Sequence, residues 1–184
     1  TFAKGSKLVA ISMGRANASR DQAGGSDLLL VDLATHSVRN IGNVGAFEFN
    51  DSGELLAYTV DASDQSGNGL YLMELESNTL KILDSSDRRY RQLTWNEHGT
   101  QLAVLRGKEK DGFVQNENDV IVIQEVASRQ ESKFAYDPSS DEAFPEGMVI
   151  SEFRNLEFSD DGSMVFLGIK EQLEKASDKK KDEE

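Results

Sequence analysis

Few residues in this 184-residue chain have the type and spacing that chemistry needs. The two histidines, His36 and His98, are the side chains that change charge near neutral pH and could act as bases or metal ligands. Both sit in short polar stretches, Thr35-His36-Ser37 and Glu97-His98-Gly99. No carboxylate pair is spaced to serve either, so both read as solvated turn residues. The absence of cysteine excludes thiol catalysis, a disulfide framework and a zinc finger. Asp61, Asp64 and Asn68 stand close enough in DASDQSGNG to raise the question of calcium. Calcium needs six to eight oxygens, and this loop lacks both the alternate acids and the closing glutamate of an EF-hand. Ser, Asn, Asp and Gly are ordinary loop formers, and a polar connector is the simpler reading. Gly24-Gly25 lies in a long loop, Met13 to Asp27, without the G-x-x-x-x-G-K-[ST] order of a phosphate loop. Arg88, Arg89 and Arg91 flank Tyr90, a cluster able to hold carboxylates. In so acidic a chain, the simpler expectation is that they meet its own acids. Asn17-Ala18-Ser19 and Asn50-Asp51-Ser52 fit the N-glycosylation pattern, which is common by chance. No catalytic, cofactor-binding or metal-ligating residue is assigned, and no cofactor is expected.

Charge narrows the partners. With 33 acidic and 20 basic side chains the net charge is −13. Nucleic acids and anionic membranes both need a basic face, so neither is expected as a partner. No apolar run approaches the ~18 residues that cross a bilayer. A hydrophobic content of 38% supports a folded core.

The elements that would position any site come from a repeat. An aromatic residue, a few polar residues, a glycine and an apolar run recur as FNDSGELLAY from Phe49, WNEHGTQLAV from Trp95 and FSDDGSMVFL from Phe158. A shorter copy, FAKGSKLVA, starts at Phe2. The glycines Gly5, Gly53, Gly99 and Gly162 are separated by 48, 46 and 63 residues. Between them, DLLLVDLATHSVRNI (Asp27 to Ile41) matches GLYLMELESNTLKIL (Gly69 to Leu83), and DVIVIQEVASRQESKFAY (Asp119 to Tyr136) is a looser third copy. Each of these reads as two strands joined by a turn. One unit is therefore four strands, with the glycine taking positive φ in the first turn. A four-stranded unit repeating every ~40–50 residues predicts a β-propeller blade. A β-sandwich does not demand a repeat, and a parallel β/α fold needs helical crossovers that no segment here predicts. The recurring Phe49, Trp95 and Phe158 are expected between blades.

The copies place blades at about 1–42, 46–84 and 91–137, and half a blade at 155–170. Residues 171–184, rich in lysine and acid, read as a charged loop or tail. Three and a half blades fall short of a ring with more blades, and Thr1 falls inside a repeat. The expectation is an incomplete piece of a larger propeller spanning residues 1–170.

The repeat resembles that of TolB-like proteins and of the prolyl oligopeptidase family of serine peptidases, whose pattern is close to W/F-S-P-D-G. Phe158-Ser159-Asp160-Asp161-Gly162 fits best, though no copy has the proline. The stretch from Tyr136 to Glu171 is similar to large bacterial members of the oligopeptidase family. Phe144-Pro145-Glu146-Gly147-Met148 and Phe166-Leu167-Gly168-Ile169 carry that likeness. The resemblance implies a non-catalytic propeller that gates substrate access and packs on an α/β-hydrolase domain bearing Ser, Asp and His, with peptides as substrates. The nucleophile of that domain sits in G-x-S-x-G, which is absent from this sequence. The segment itself is therefore expected to be no enzyme, while the parent chain is expected to be a serine peptidase. The alternative is a TolB-like interaction propeller with no catalytic domain. An open-ended propeller binding sugars or polymers is a third, lesser reading. The family resemblance is compatible with cytoplasm or periplasm and implies a soluble protein.

Overall fold

The computed structural model describes residues 1–5, 8–14 and 24–175. The sequon at Asn17, most of the loop after Met13, and residues 176–184 of the charged tail lie outside the described residues. Among the described residues the regular structure is strand, apart from one 3-10 turn at Pro138–Ser140. No helix among them is long and apolar enough to cross a membrane.

Strands β1 (Leu8–Met13), β2 (Ser26–Asp32), β3 (Val38–Phe49), β4 (Leu55–Val60), β5 (Gly69–Glu74) and β6 (Leu80–Ser85) form one antiparallel sheet in chain order. β7 (Arg89–Trp95), β8 (Leu102–Lys108), β9 (Glu117–Gln124) and β10 (Ser132–Tyr136) form a second, four-stranded meander. β11 (Met148–Ile150) pairs with β14 (Ile169–Glu171), and β12 (Glu157–Phe158) with β13 (Val165–Phe166). The six-stranded sheet is two blades sharing a strand. The first half of β3 pairs with β2 and the second half with β4. The molecule is thus an all-β propeller segment of about three and a half blades. The strand β3 crosses the 42–46 interval between sequence repeats without a break. In the last blade, β11 and β12 form the interrupted first strand and β13 and β14 the second. The chain beyond β14 is held by the β8–β9 loop, where Val114 N–H donates to Leu173 O at 2.8 Å and Lys175 N–H donates to Gly112 O at 2.8 Å.

The first turns of blades two, three and four are built on one plan. In blade two, Gly53 N–H donates to Asn50 O at 3.0 Å, and Asn50 Oδ1 accepts from Glu54 N–H and Leu55 N–H at 3.1 and 3.0 Å. In blade three, Asn96 Oδ1 accepts from Thr100 and Gln101 N–H, both at 2.9 Å. A buried asparagine thus replaces main-chain acceptors in the tight turn. In blade four Ser159 takes this place, with Oγ accepting from Met164 N–H at 3.0 Å. Asp161 accepts from Ser159 and Ser163, and these hydrogen bonds lower its carboxyl to about 2. All four repeat glycines have φ between 65° and 73°.

These turns also stack. A Cβ on Gly53 would lie 2.4 Å from Lys4 O of the preceding blade, and one on Gly99 would lie 3.2 Å from Asn50 Cβ. At Gly162 the obstacle is Gln101 Oε1 at 2.4 Å, the end of a flexible side chain. Below the turns lie three apolar clusters among the described residues. Blades one and two share Ala10, Leu28, Leu30, Phe49, Leu56 and Tyr58. Blades two and three share Leu70, Leu72, Leu83, Tyr90, Val104 and Ile121. Blades three and four share Leu105, Val120, Ile150 and Leu156. As expected, Phe49 is buried and Trp95 and Phe158 pack against these clusters, whereas Phe2 is 69% exposed.

The glycines separate two costs. Gly5→Ala meets nothing within 4 Å, so it should cost only the left-handed backbone penalty of about 1 kcal/mol. Gly53→Ala adds a clash with main chain that cannot swing aside, and should cost more than about 2 kcal/mol. Urea unfolding of both variants checks the order.

Candidate functional site

The residue before the repeat aromatic holds one position in all four copies: Thr1, Glu48, Thr94 and Glu157. Strand alternation sends the aromatic into a seam between blades and its predecessor to the opposite face. All four residues line one cavity of about 500 Å³, with Gln92 and Asn155. Because the first strand of a blade is the innermost, this cavity is the wall of the propeller's axis. The wall is rich in acceptors. Burial pushes the Glu48 carboxyl above its usual range, against a hydrogen bond from the Trp95 main chain. Gln92 has φ 55° at a bulge where the β7–β8 register shifts, and its Oε1 is buried without a hydrogen-bond partner. At the corresponding shift in β3, Ala46 N–H donates to the buried Thr59 Oγ1 at 2.9 Å. Trp95 Nε1–H donates to Glu48 O at 3.2 Å and fixes this part of the wall. Such a surface can hold N–H donors and cations.

A second polar cluster ties blade two to blade three. Asp84 accepts from Tyr90 Oη–H at 2.6 Å, Lys133 Nζ at 2.7 Å and Arg106 Nη1 at 3.2 Å. Asp119 accepts from Arg106 Nη2 at 2.8 Å and from Arg88. Burial alone would raise the Asp84 carboxyl, but the hydrogen bonds from Lys133 and Tyr90 and the nearby cations hold it below the usual range. The Tyr90 hydroxyl is pushed up by burial and by its bond to Asp84. A buried charge is tolerated when its lone pairs are filled in this way.

The residues singled out in the sequence fall apart in space. Arg88 meets Asp119; Arg89 lies 3.7 Å from Asp61 and from Glu109; Arg91 lies 3.5 Å from Glu152. The arginines next to Tyr90 thus each lie beside acids of this chain. Asn68, fully buried, accepts from Ala62 N–H at 2.7 Å and donates to Arg88 O at 3.2 Å, pinning its loop. Among the described residues no group of His, Asp and Glu is arranged to hold a metal. His36 and His98 are exposed on turns. Asn50, the second sequon asparagine, is buried, and its amide both caps the turn and donates to Ser52 Oγ at 3.0 Å. The axial wall was not singled out in the sequence. The signal for it was the residue one before each aromatic, whose type varies while its position does not.

A β-propeller segment is the class that fold and axis define. The chain is similar in structure to Porphyromonas gingivalis dipeptidyl peptidase 4, with a TM-score of 0.60 and 11% identity over 90% of this chain and 28% of that one. It is similar to the tricorn protease, with a TM-score of 0.52 and 15% identity over 88% of this chain and 14% of that one. It is also similar to Kuenenia stuttgartiensis hydrazine synthase, with a TM-score of 0.50 and 13% identity over 77% and 43%. What is shared at these identities is the fold, and the chain spans less than half of each structure. No family model and no curated protein matches the sequence.

Two variants test the polar groups. Asp84→Asn should cost about 3 kcal/mol at neutral pH by leaving cations unmatched in a buried cluster. The folded carboxyl titrates below its unfolded value, so wild type loses the same stabilisation as pH falls, and the gap between the two should close in acid. Glu48 has the opposite sign. Its folded carboxyl titrates high, so ionisation at neutral pH opposes folding. Glu48→Gln should raise Tm at pH 7, with no gain below pH ~3, where both states are protonated. Thermal unfolding at several pH values reads both.

Proposed function

We propose that this chain is the non-catalytic propeller portion of a prolyl oligopeptidase-like serine peptidase or hydrolase. It gates access of peptides to a hydrolase cleft and packs on an α/β-hydrolase domain of the same parent chain. The observation that carries the reading is the coincidence of family-like sequence with the expected architecture. The stretch from Tyr136 to Glu171, which resembles large oligopeptidases, forms the link into blade four and both of its strands. The axial cavity, at about 500 Å³, is of a size for a short extended peptide segment. Its carboxylates and free acceptors favour the N–H groups of such a peptide. The bond-making steps belong to the other domain: serine attack on the peptide carbonyl, histidine as base and an oxyanion hole.

A fluorophosphonate probe, which labels activated serines, tests this. The full-length parent should be labelled at one serine, and the 184-residue chain should not be. A full-length protein that resists the probe would sink the peptidase reading and leave the interaction propeller. Labelling of the 184-residue chain would overturn the assignment of the chemistry to another domain.

A further inference from the structure

Where β8 runs into the β8–β9 loop, a polar recess of about 380 Å³ opens between blades three and four. Six charged side chains line it: Arg88, Lys108 and Lys110, against Glu117, Asp119 and Asp137. Five of the six are committed. Arg88 bonds to Asp119. Lys110 Nζ lies 2.7 Å from Glu117 Oε1. Asp137 accepts from Ser139 N–H at 2.9 Å and from Ser139 Oγ–H at 2.7 Å. Lys108 is exposed and makes no hydrogen bond or ion pair with any described residue. Glu117 stands opposite Lys108 in the β8–β9 ladder, but its carboxylate is the one that Lys110 holds.

A second donor at the recess is also unfilled. Gln172 N–H donates to Gly147 O at 2.9 Å, which fixes the residue on the wall. Its side-chain Oε1 accepts from Lys110 Nζ at 3.2 Å. Turning the amide round would set donor against donor. Nε2 is therefore left buried, without an acceptor among the described residues. A buried donor left unfilled is costly, and native proteins rarely leave one so.

We propose that this recess binds a carboxylate on a small apolar body, held between the Lys108 ammonium and Gln172 Nε2–H. The three acids and three cations of the wall balance, so one negative charge is accommodated and a doubly charged phosphate is repelled by the acids. Phe144, Met148 and Val149 supply the apolar part of the wall. The end of a peptide and a free branched-chain acid share this chemistry. The site needs no hydrolase domain.

N-Acetyl-leucine is the probe, and heteronuclear NMR of the 184-residue chain is the readout. The Gln172 side-chain amide and the main-chain amides of Lys108, Gly147 and Met148 should shift and saturate, with a Kd of about 1 mM for so small a ligand. N-Acetyl-leucinamide has the same shape and no charge, and should bind about tenfold more weakly or worse. Lys108→Gln should weaken N-acetyl-leucine to a similar degree while the peaks of blades one and two stay in place. Lys170→Gln removes an ammonium that lies over the Phe153 ring, outside the recess, and should bind as wild type does. Isocaproate, the same acid without the amide, separates the two sources. Weaker binding of isocaproate supports the site and makes a peptide end its ligand; equal or tighter binding supports the site and makes a free acid its ligand. Equal binding of N-acetyl-leucinamide overturns the proposal. So does full affinity in Lys108→Gln, or no saturable shift at about twenty times the expected Kd.

Discussion

The glycine turns of blades two, three and four each sit on the turn of the blade before, and the spacing of the blades follows from that contact. At Gly53 a side chain has no room, because Lys4 main chain occupies the place a Cβ would take. Two requirements meet at one residue: positive φ and close approach. Either alone would favour glycine; together they fix how far blade two lies from blade one. With that distance set, the aromatic four residues earlier, Phe49, reaches the seam, and the residue before it reaches the axis. The apolar clusters fill the gap that the turns define.

Against this common frame the seams carry different chemistry. The first and third combine an apolar cluster with single polar contacts, Lys4 with Asp51 at 2.9 Å in the first and Asn118 Nδ2–H donating to Ile150 O at 2.7 Å in the third. The second adds Asp84, Arg106, Asp119, Lys133 and Tyr90. A charged cluster is a weak source of net stability but a strong source of register, since any slip strands a charge without its partner. Blade two cannot slide on blade three by a residue without losing three hydrogen bonds at Asp84. Where the contacts are mainly apolar, register relies more on shape.

The repeat made the fold legible. Aromatic, glycine and apolar run recur at a spacing that only a stack of small sheets explains, and the glycines do take positive φ. Asn50 and Asn96 show why the pattern survives without a serine in two copies, since an asparagine oxygen takes both turn amides, which in the Ser159 copy are shared between Ser159 Oγ and Asp161. The axial wall was not legible, because Thr1, Glu48, Thr94 and Glu157 share a position and not a chemistry. Nor was the Asp84 cluster. Its members lie up to 49 residues apart, from Asp84 to Lys133, and only the twist of the strands brings them together. The arginines near Tyr90 stood out because they are adjacent in sequence, and adjacency sent each to a different acid.

One strand serves two blades. Since β3 is the outer strand of blade one and the inner strand of blade two, no hinge can form between them without breaking its ladder on one side. Between blades three and four the chain instead runs through residues 137–147, whose only regular structure is one short 3-10 turn. Local opening follows the path with fewest ladder hydrogen bonds to break. Opening blade one from blade two must therefore break a ladder, whereas opening blade three from blade four must break the hydrogen bonds that tie residues 173–175 to the β8–β9 loop and Asn118 to Ile150.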